Sequence, residues 1–502
     1  LHWFGNLKKG TVIIDAINFI MQSFSSPTQK ICLTLSCISL VWGCATPTNA
    51  AEYYVNINGS DNGNGSKLSP WKTVNKALNS VPPNQGHIIK IGGGTFEIGK
   101  QVSVPSGIKL LGSGIDKTTI LGELKLEQVK NITVGNIKLS GKKYNYELGL
   151  YIRDAENLLI RDLVFNAYAN TAIDVQRVTN GHIYNINITD SSYNQRKNGQ
   201  GNQQTYAIAI ADLTNFAFHD ISIDTRKRGG AGIKTVKDSW PKKQPWTAKP
   251  TILKNVRFYN LDIKVDKWNA WGNGWTPQIA IELWHQQCYE CEIYNSTFNS
   301  TVSLAAIYTS DKTKIRVHHN LWESPDNPFY ACEVASDNIE FHHNHIRGGT
   351  YPIALFGAKY KNLNVHHNLF ENTNGPVLIG LFGGKMENFK FINNTVIINN
   401  SKNPLFRFKH KSAVQPQIRN NIFYNSSGKI NQNLGISSND LENNLFFNIL
   451  AVGNRAMNFD PKFTLTGNKP FPYYLPQKLR KAVNLGAINS STSDWKVGKP
   501  VK

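Results

Sequence analysis

Val317-His-His-Asn320-Leu-Trp322, Phe341-His-His-Asn344-His-Ile346 and Val365-His-His-Asn368-Leu-Phe370 are three copies of one phrase: an apolar opening, a polar pair, an Asn, and an apolar residue two places later. The phrase goes on as Phe391-Ile-Asn-Asn394-Thr-Val396, Ile418-Arg-Asn-Asn421-Ile-Phe423 and Leu441-Glu-Asn-Asn444-Leu-Phe446. Its openings lie 24, 24, 26, 27 and 23 residues apart. A recurring period of this size marks a solenoid. Upstream the Asn usually gives way to an apolar residue, as in Ile183…Ile186…Ile188, Phe218…Ile221…Ile223 and Phe258…Leu261…Ile263, and to Ser296 in Ile293…Ser296…Phe298.

Short apolar alternations joined by Asn and Gly read as short strands and tight turns. One period then makes one coil, and equivalent residues of successive coils stack at the inter-strand spacing of about 4.8 Å. The six asparagines are expected to form an inward ladder, because an amide can bond both backbone and the next amide. A second strand precedes each phrase. It reads Gly149-Leu-Tyr-Ile-Arg153, Ala172-Ile-Asp-Val-Gln176, Ala207-Ile-Ala-Ile210 and Ala231-Gly-Ile-Lys234. Ile279-Ala-Ile-Glu-Leu283, Ala305-Ala-Ile-Tyr308, Ala331-Cys-Glu-Val334, Ile353-Ala-Leu-Phe356 and Leu405-Phe-Arg-Phe-Lys409 continue it. The fold class is all-β, a right-handed parallel β-helix of about 24-residue coils. An N-terminal capping helix is expected at Ser69–Leu78, with Ser69 as N-cap and Pro70 at its first position.

The apolar run Ile31–Gly43 follows Lys30 and precedes Thr48-Asn49-Ala50, the plan of a secretory signal peptide. Residues 1–50 are therefore assigned to a leader, with 1–20 read as an extension ahead of Met21. Residues 51–115 form the N-terminal cap, 116–446 the β-helix and 447–502 a C-terminal wrap. The chain carries a net charge of +21; without residues 1–50, which hold three lysines and one aspartate, it keeps +19. No basic cluster concentrates that charge, so a spread attraction to an anionic partner is expected. For an exported chain that partner is an acidic polysaccharide rather than nucleic acid, with a secreted, periplasmic or cell-surface location, no membrane association once the leader is gone, and a monomeric state. Outside the leader only Cys288, Cys291 and Cys332 remain, as a local disulfide or as inert thiols.

Ser69-Pro-Trp71, Ile91-Gly-Gly-Gly-Thr-Phe96 and Gly107-Ile-Lys-Leu-Leu-Gly-Ser-Gly114 resemble the N-terminal region of the pectate-lyase-like right-handed β-helix superfamily. The Asn-Asn-x-Phe coils and Asp460-Pro-Lys-Phe463 are similar to its secreted bacterial members, and the resemblance spans about 53–490. It implies the fold. It implies no single activity, because the superfamily holds lyases, hydrolases, epimerases, tailspikes and non-catalytic surface proteins. The chain lacks the Gly-His-Gly of polygalacturonases, the Asp-Pro-His of alginate epimerases and the paired aspartates of a calcium-dependent pectate lyase.

Three coils are longer than the rest, at 35, 40 and 35 residues, with the excess near 190–206, 238–250 and 265–277. The last two insertions carry Trp240, Trp246, Trp268, Trp271 and Trp275. Loops on adjacent coils wall a groove, and tryptophans there suit stacking on sugar rings or packing within their own loops. Beneath them the outward column reads Asp174 and Gln176, then Ala209, Lys234, Glu282, Tyr308, Glu333, Phe356 and Arg407, with Trp284 beside Glu282. Lys234, Glu282, Tyr308 and Glu333 are the candidate catalytic residues. Asp174, Gln176, Arg226, Arg228, Lys237, Trp271, Trp275, Trp284 and Arg407 are the candidate substrate contacts. The first expectation is cleavage of an acidic polysaccharide by β-elimination, with Lys234 or Tyr308 as base and Arg226, Arg228 or Lys237 neutralising a uronate carboxylate. Inverting hydrolysis would use Glu282 and Glu333, two rungs or about 9.6 Å apart. A non-catalytic glycan-binding protein is the third reading. No cofactor is expected, and calcium stays open without a site. The paired histidines 318/319, 342/343 and 366/367 would stack in two columns instead of converging on a metal.

Overall fold

The computed structural model describes residues 50–476 apart from 144, 191–205, 226–230, 237–250, 266–278, 284–285, 305–311, 325–329, 349–350, 356–358, 374, 381–384, 400–403, 409–415, 429–433 and 467–472. Strand after strand pairs in parallel with the equivalent strand of the next coil, which makes the chain a right-handed parallel β-helix. Each full coil contributes to three sheets. In one coil these are Tyr330–Val334, Ile339–His342 and His345–Gly348; the next supplies Tyr351–Leu355, Leu363–His366 and Leu369–Thr373 in register. Between residues 148 and 224 the three segments run on as 19-residue strands. These bend at left-handed residues such as Asp154, Asn157 and Asp162. Asn and Asp suit those corners because their short polar side chains tolerate positive φ.

Alternation puts one residue in two inward. The core is a stack of Ile, Val, Leu and Phe from every coil, among them Phe218 on Phe258 with ring centres 5.2 Å apart and Phe423 on Phe446 at 5.4 Å. Cys288, Cys291 and Cys332 sit in this core as free thiols. Burial pushes the thiols of Cys291 and Cys332 up, away from the reactive thiolate.

The asparagine ladder forms as expected. Asn320, Asn344, Asn368, Asn394, Asn421 and Asn444 have no exposed surface. Each Nδ2 but the last donates to the Oδ1 of the asparagine in the next coil, at 3.1, 3.0, 3.0, 3.2 and 2.9 Å. Each also donates to a backbone carbonyl of the preceding coil, such as Phe341 O from Asn368 at 2.9 Å. Left-handed geometry falls on the residue before each asparagine: His319, His343, His367, Asn393, Asn420 and Asn443. Asn368→Ala should cost about 3–5 kcal/mol. It strands the Asn344 amide, its backbone N–H and the Phe341 carbonyl, at about 1–3 kcal/mol for each unmatched buried group. A urea midpoint displaced by less than the equivalent of about 1 kcal/mol would show that the ladder is replaceable.

The histidine pairs stack as two columns. His318, His342 and His366 lie 4.8 and 4.9 Å apart, nearly coplanar in tilt. The column continues upward through Tyr294, Tyr259, His219 and Tyr184 at 5.1, 4.9, 4.7 and 4.8 Å. His319, His343 and His367 form the second column, at 5.1 and 5.0 Å. Within each pair the two Nδ1 atoms lie 2.8 to 3.0 Å apart, so one donates and the other accepts.

The ends depart from expectation in detail. The helix α1 runs from Val74 to Ser80, with Thr73 rather than Ser69 as its N-cap. Trp71, expected inside the helix, instead pairs with Val55 as an isolated bridge and donates its indole N–H to Gly63 O at 2.8 Å. Asp61 then accepts from the backbone N–H groups of Lys72 and Thr73, which sets the start of α1. Val74, Ala77 and Leu78 join the core. At the other end Met457–Asn458 still pairs with Leu445–Phe446, so the coils run past 446. An antiparallel hairpin, Phe463–Thr466 with Tyr473–Pro476, follows. The leader expected at 1–50 lies outside the described residues but for Ala50.

Candidate functional site

Register fixes which side chains share the outward column of the first sheet. Tyr151 pairs with Asp174, Asp174 with Ala209, Ala209 with Lys234 and Lys234 with Glu282. Glu282 then pairs with Ser303, Ser303 with Glu333, Glu333 with Ala354, Ala354 with Ile379 and Ile379 with Arg407. Lys234, Glu282 and Glu333 are on the expected column. The next two places are filled differently from expectation: the strand after Glu282 is Thr301–Leu304, so Ser303 holds the position given to Tyr308, and Ala354 holds that given to Phe356. Tyr308 and Phe356 themselves lie outside the described residues, as do Arg226, Arg228, Lys237, Trp271, Trp275 and Trp284. Arg407 is exposed and three rungs beyond Glu333, about 14 Å away by strand spacing.

Although they point away from the core, Glu282, Ser303 and Glu333 are only 6%, 0% and 7% exposed. A charge held from water is costly unless paired, and the column pairs one carboxylate and leaves the other to its burial. The Lys234 ammonium meets Glu282 at 2.5 Å. It approaches off the axis of an aligned hydrogen bond, so the contact is chiefly ionic. The same ammonium sits 5.3 Å from the centre of the Tyr206 ring, a cation–π contact that partly replaces lost water. Thr235 Oγ1 donates to the Glu282 backbone carbonyl at 3.1 Å and fixes that strand. Burial pushes the Glu333 carboxyl up to about 7; the Ser303 hydroxyl works against the rise and the Glu282 carboxylate adds to it. Tyr330 opens the Glu333 strand and stacks at 5.9 Å on Tyr351, which opens the next.

Above Ala209 the face continues in a second charged group. Asp174 takes two hydrogen bonds from Arg153, at 3.0 and 2.6 Å, and one from Gln176 at 2.9 Å. The Arg153 guanidinium lies 4.4 Å from the centre of the Tyr151 ring. Asp174 and Gln176 therefore fall on the expected face, two rungs from Lys234, bound into an ion pair of their own.

Tyr206, Ser303, Arg153, Tyr330 and Tyr351 were not singled out from sequence. Three of them carried a signal, since tyrosine recurs as the first residue of Tyr206–Asp224, Tyr330–Val334 and Tyr351–Leu355. Among the described residues no three His, Cys, Asp or Glu side chains gather as a metal site.

No protein-family model matches the chain, and no curated protein matches it by sequence. Solved structures similar in shape include the PL6 family alginate lyase AlyGC, at 12% identity over 89% of this chain and 58% of that one, with a TM-score of 0.47. The catalytic domain of a GH87 α-1,3-glucanase with tetrasaccharides shares 10% identity over 75% of this chain and 69% of that one, with a TM-score of 0.46. Pectate lyase Pel9A shares 14% over 64% and 80%, with a TM-score of 0.38. Likenesses this distant carry no argument about chemistry, and the fold described above rests on this chain's own strand register.

Proposed function

We propose that this protein cleaves glycosidic bonds of a polysaccharide laid along the first sheet, with Glu333 as proton donor and Glu282 as the carboxylate that activates water. The observation that carries it is the pair of near-buried carboxyls on one column, one pushed to about 7 by burial and the other in contact with an ammonium. Two carboxyls whose surroundings divide them into acid and base are the usual equipment for glycoside hydrolysis. The pair stands two rungs apart, about 9.6 Å between strands, which suits the wide separation of inverting enzymes, about 6.5–9.5 Å between carboxyls. In the reaction Glu333 gives its proton to the leaving glycosidic oxygen as the bond to the anomeric carbon breaks. Water attacks that carbon from the opposite side and passes a proton to Glu282.

β-Elimination, the first expectation from the sequence, needs Lys234 or Tyr308 as base. The ion pair with Glu282 disfavours Lys234 as a base, Tyr308 lies outside the described residues, and the two near-buried carboxyls support hydrolysis. Residues 1–50, as the expected leader, support a secreted protein. The test is to incubate the protein with neutral and acidic glycans while following reducing ends, ultraviolet absorbance and the anomeric configuration of the first product. New reducing ends of inverted configuration without absorbance are expected. An absorbing, unsaturated product would establish elimination and overturn the carboxyl assignment. Silence with every glycan would leave a binding protein.

A further inference from the structure

The second sheet carries a groove unconnected with the carboxyl column. Its wall is a corner ladder of asparagines, Asn180, Asn215 and Asn255, all left-handed at φ 59°, 52° and 51°. Asn255 donates to Asn215 at 3.0 Å, Asn215 to Asn180 at 3.1 Å and Asn180 to Asn157 at 3.3 Å. An amide has two N–H donors and an oxygen with two lone pairs, so each rung of the ladder keeps an N–H and a lone pair for a ligand. The floor is the outward column of this sheet, where His182 pairs with Ala217 and Ala217 with Arg257. Ala217 is the short member between two long ones, and the space over it is a groove of about 370 Å³. At one end stands Arg257, and Lys254, beside the lining residue Asn255 but outside the groove itself, adds a second exposed cation. Among the described residues neither has an ion-pair partner, in contrast to Arg316 farther along the same column, which bonds Glu292 at 2.9 Å.

We propose that this groove binds an acidic polysaccharide, with the asparagine amides taking its hydroxyls and Lys254 and Arg257 taking a carboxylate or sulfate. Rungs about 4.8 Å apart offer the same donors and acceptors repeatedly along the helix axis, which suits a polymer better than a small molecule. The chain's net charge of +21 favours an anionic partner. Because the groove lies on a different sheet from Glu333, it would hold the polymer without occupying the carboxyl column, and it stands independently of the hydrolytic reading.

The experiment is affinity electrophoresis of the full chain in gels containing polygalacturonate, with a neutral glucan gel as reference. Glu333→Gln is used as the background so that the gel is not consumed. Lys254→Glu with Arg257→Glu should weaken retention by about tenfold or more, the loss of two charge-assisted contacts. Asn215→Asp should weaken it as well, by setting a carboxylate among the ladder's amides; Asp adopts the same left-handed backbone at Asp212 and Asp220 in that coil. Lys109→Glu with Lys390→Glu, an equal charge change at exposed positions of the same sheet, should leave retention within about twofold of the background, as expected for distant surface charge. Melting temperatures confirm that each variant is folded. Unchanged retention for either groove variant, or equal loss in the control pair, would overturn the proposal, the second result by showing that diffuse charge alone binds the polymer.

Discussion

Glu333→Gln should lower kcat by about 10²–10⁴-fold, the usual contribution of one general acid, with KM little changed. It should also make the protein more stable at high pH, and the two effects together distinguish a catalytic carboxyl from a merely buried one. Glu333 is pushed up to about 7 in the folded chain from an ordinary carboxyl value of 4.5. Between those values the folded state holds the proton and the unfolded state has lost it, so wild-type stability falls as pH rises through that window. The fall approaches about 3 kcal/mol by pH 8, from about 1.4 kcal/mol for each pH unit. Glutamine keeps the shape and has no charge to bury, so the variant should lose that fall. Its residual activity should also lose the decline above about pH 7 that a deprotonating acid imposes. A variant that gained stability yet kept wild-type kcat would remove Glu333 from the mechanism.

The fold was legible because its strongest constraint is chemical and local. A fully buried asparagine must have all its bonds met, and only a stack of equals meets them coil after coil; hence Asn recurs from 320 to 444 at the coil period. The aromatic and histidine columns were legible for the same reason, since one ring sits over another only if the register holds. The first sheet was harder. Around residue 305 both Thr301-Val-Ser-Leu304 and Ala305-Ala-Ile-Tyr308 offer an inward apolar residue, Val302 or Ile307, and a slip of five residues changes the outward residue from Ser303 to Tyr308. Only the pairing of Val302 with Cys332 decides between them. At the N-terminus, Ser69-Pro70 has the chemistry of a helix start, but Asp61, distant in sequence, claims the amides of Lys72 and Thr73 and moves the start to Thr73. The Lys234–Glu282 pair was legible as two outward residues on adjacent coils. That they neutralise each other, which changes the favoured chemistry, needed the distance.

The histidine columns make the second large prediction, a loss of stability on mild acidification. Burial, together with neighbouring imidazoles, lowers His319 to about 4, His342 to about 2, His343 to about 3 and His367 to about 4. In the unfolded chain a histidine takes its proton near pH 6.5. Below that pH the unfolded state binds more protons than the folded one, so the stabilising effect of the neutral imidazoles is full above 6.5 and drains away as pH falls toward 4 and below. Between pH 7 and pH 5 each group would lose about 2 kcal/mol. Their ring edges meet solvent, and screening reduces the sum for four to about 4 kcal/mol. Glu333 opposes this: its retained proton gains about 2 kcal/mol over the same interval. The wild type should therefore lose about 2 kcal/mol from pH 7 to pH 5, and the Glu333→Gln variant about 4. His319, His343 and His367 can be tested together as asparagine, because Asn393, Asn420 and Asn443 already occupy that left-handed column in the following coils. In the Glu333→Gln background the triple substitution should remove more than half of the acid-induced loss, measured by urea denaturation at the two pH values. Equal losses with and without the three histidines would mean that the stacked imidazoles accept protons in the folded chain as readily as in the unfolded one.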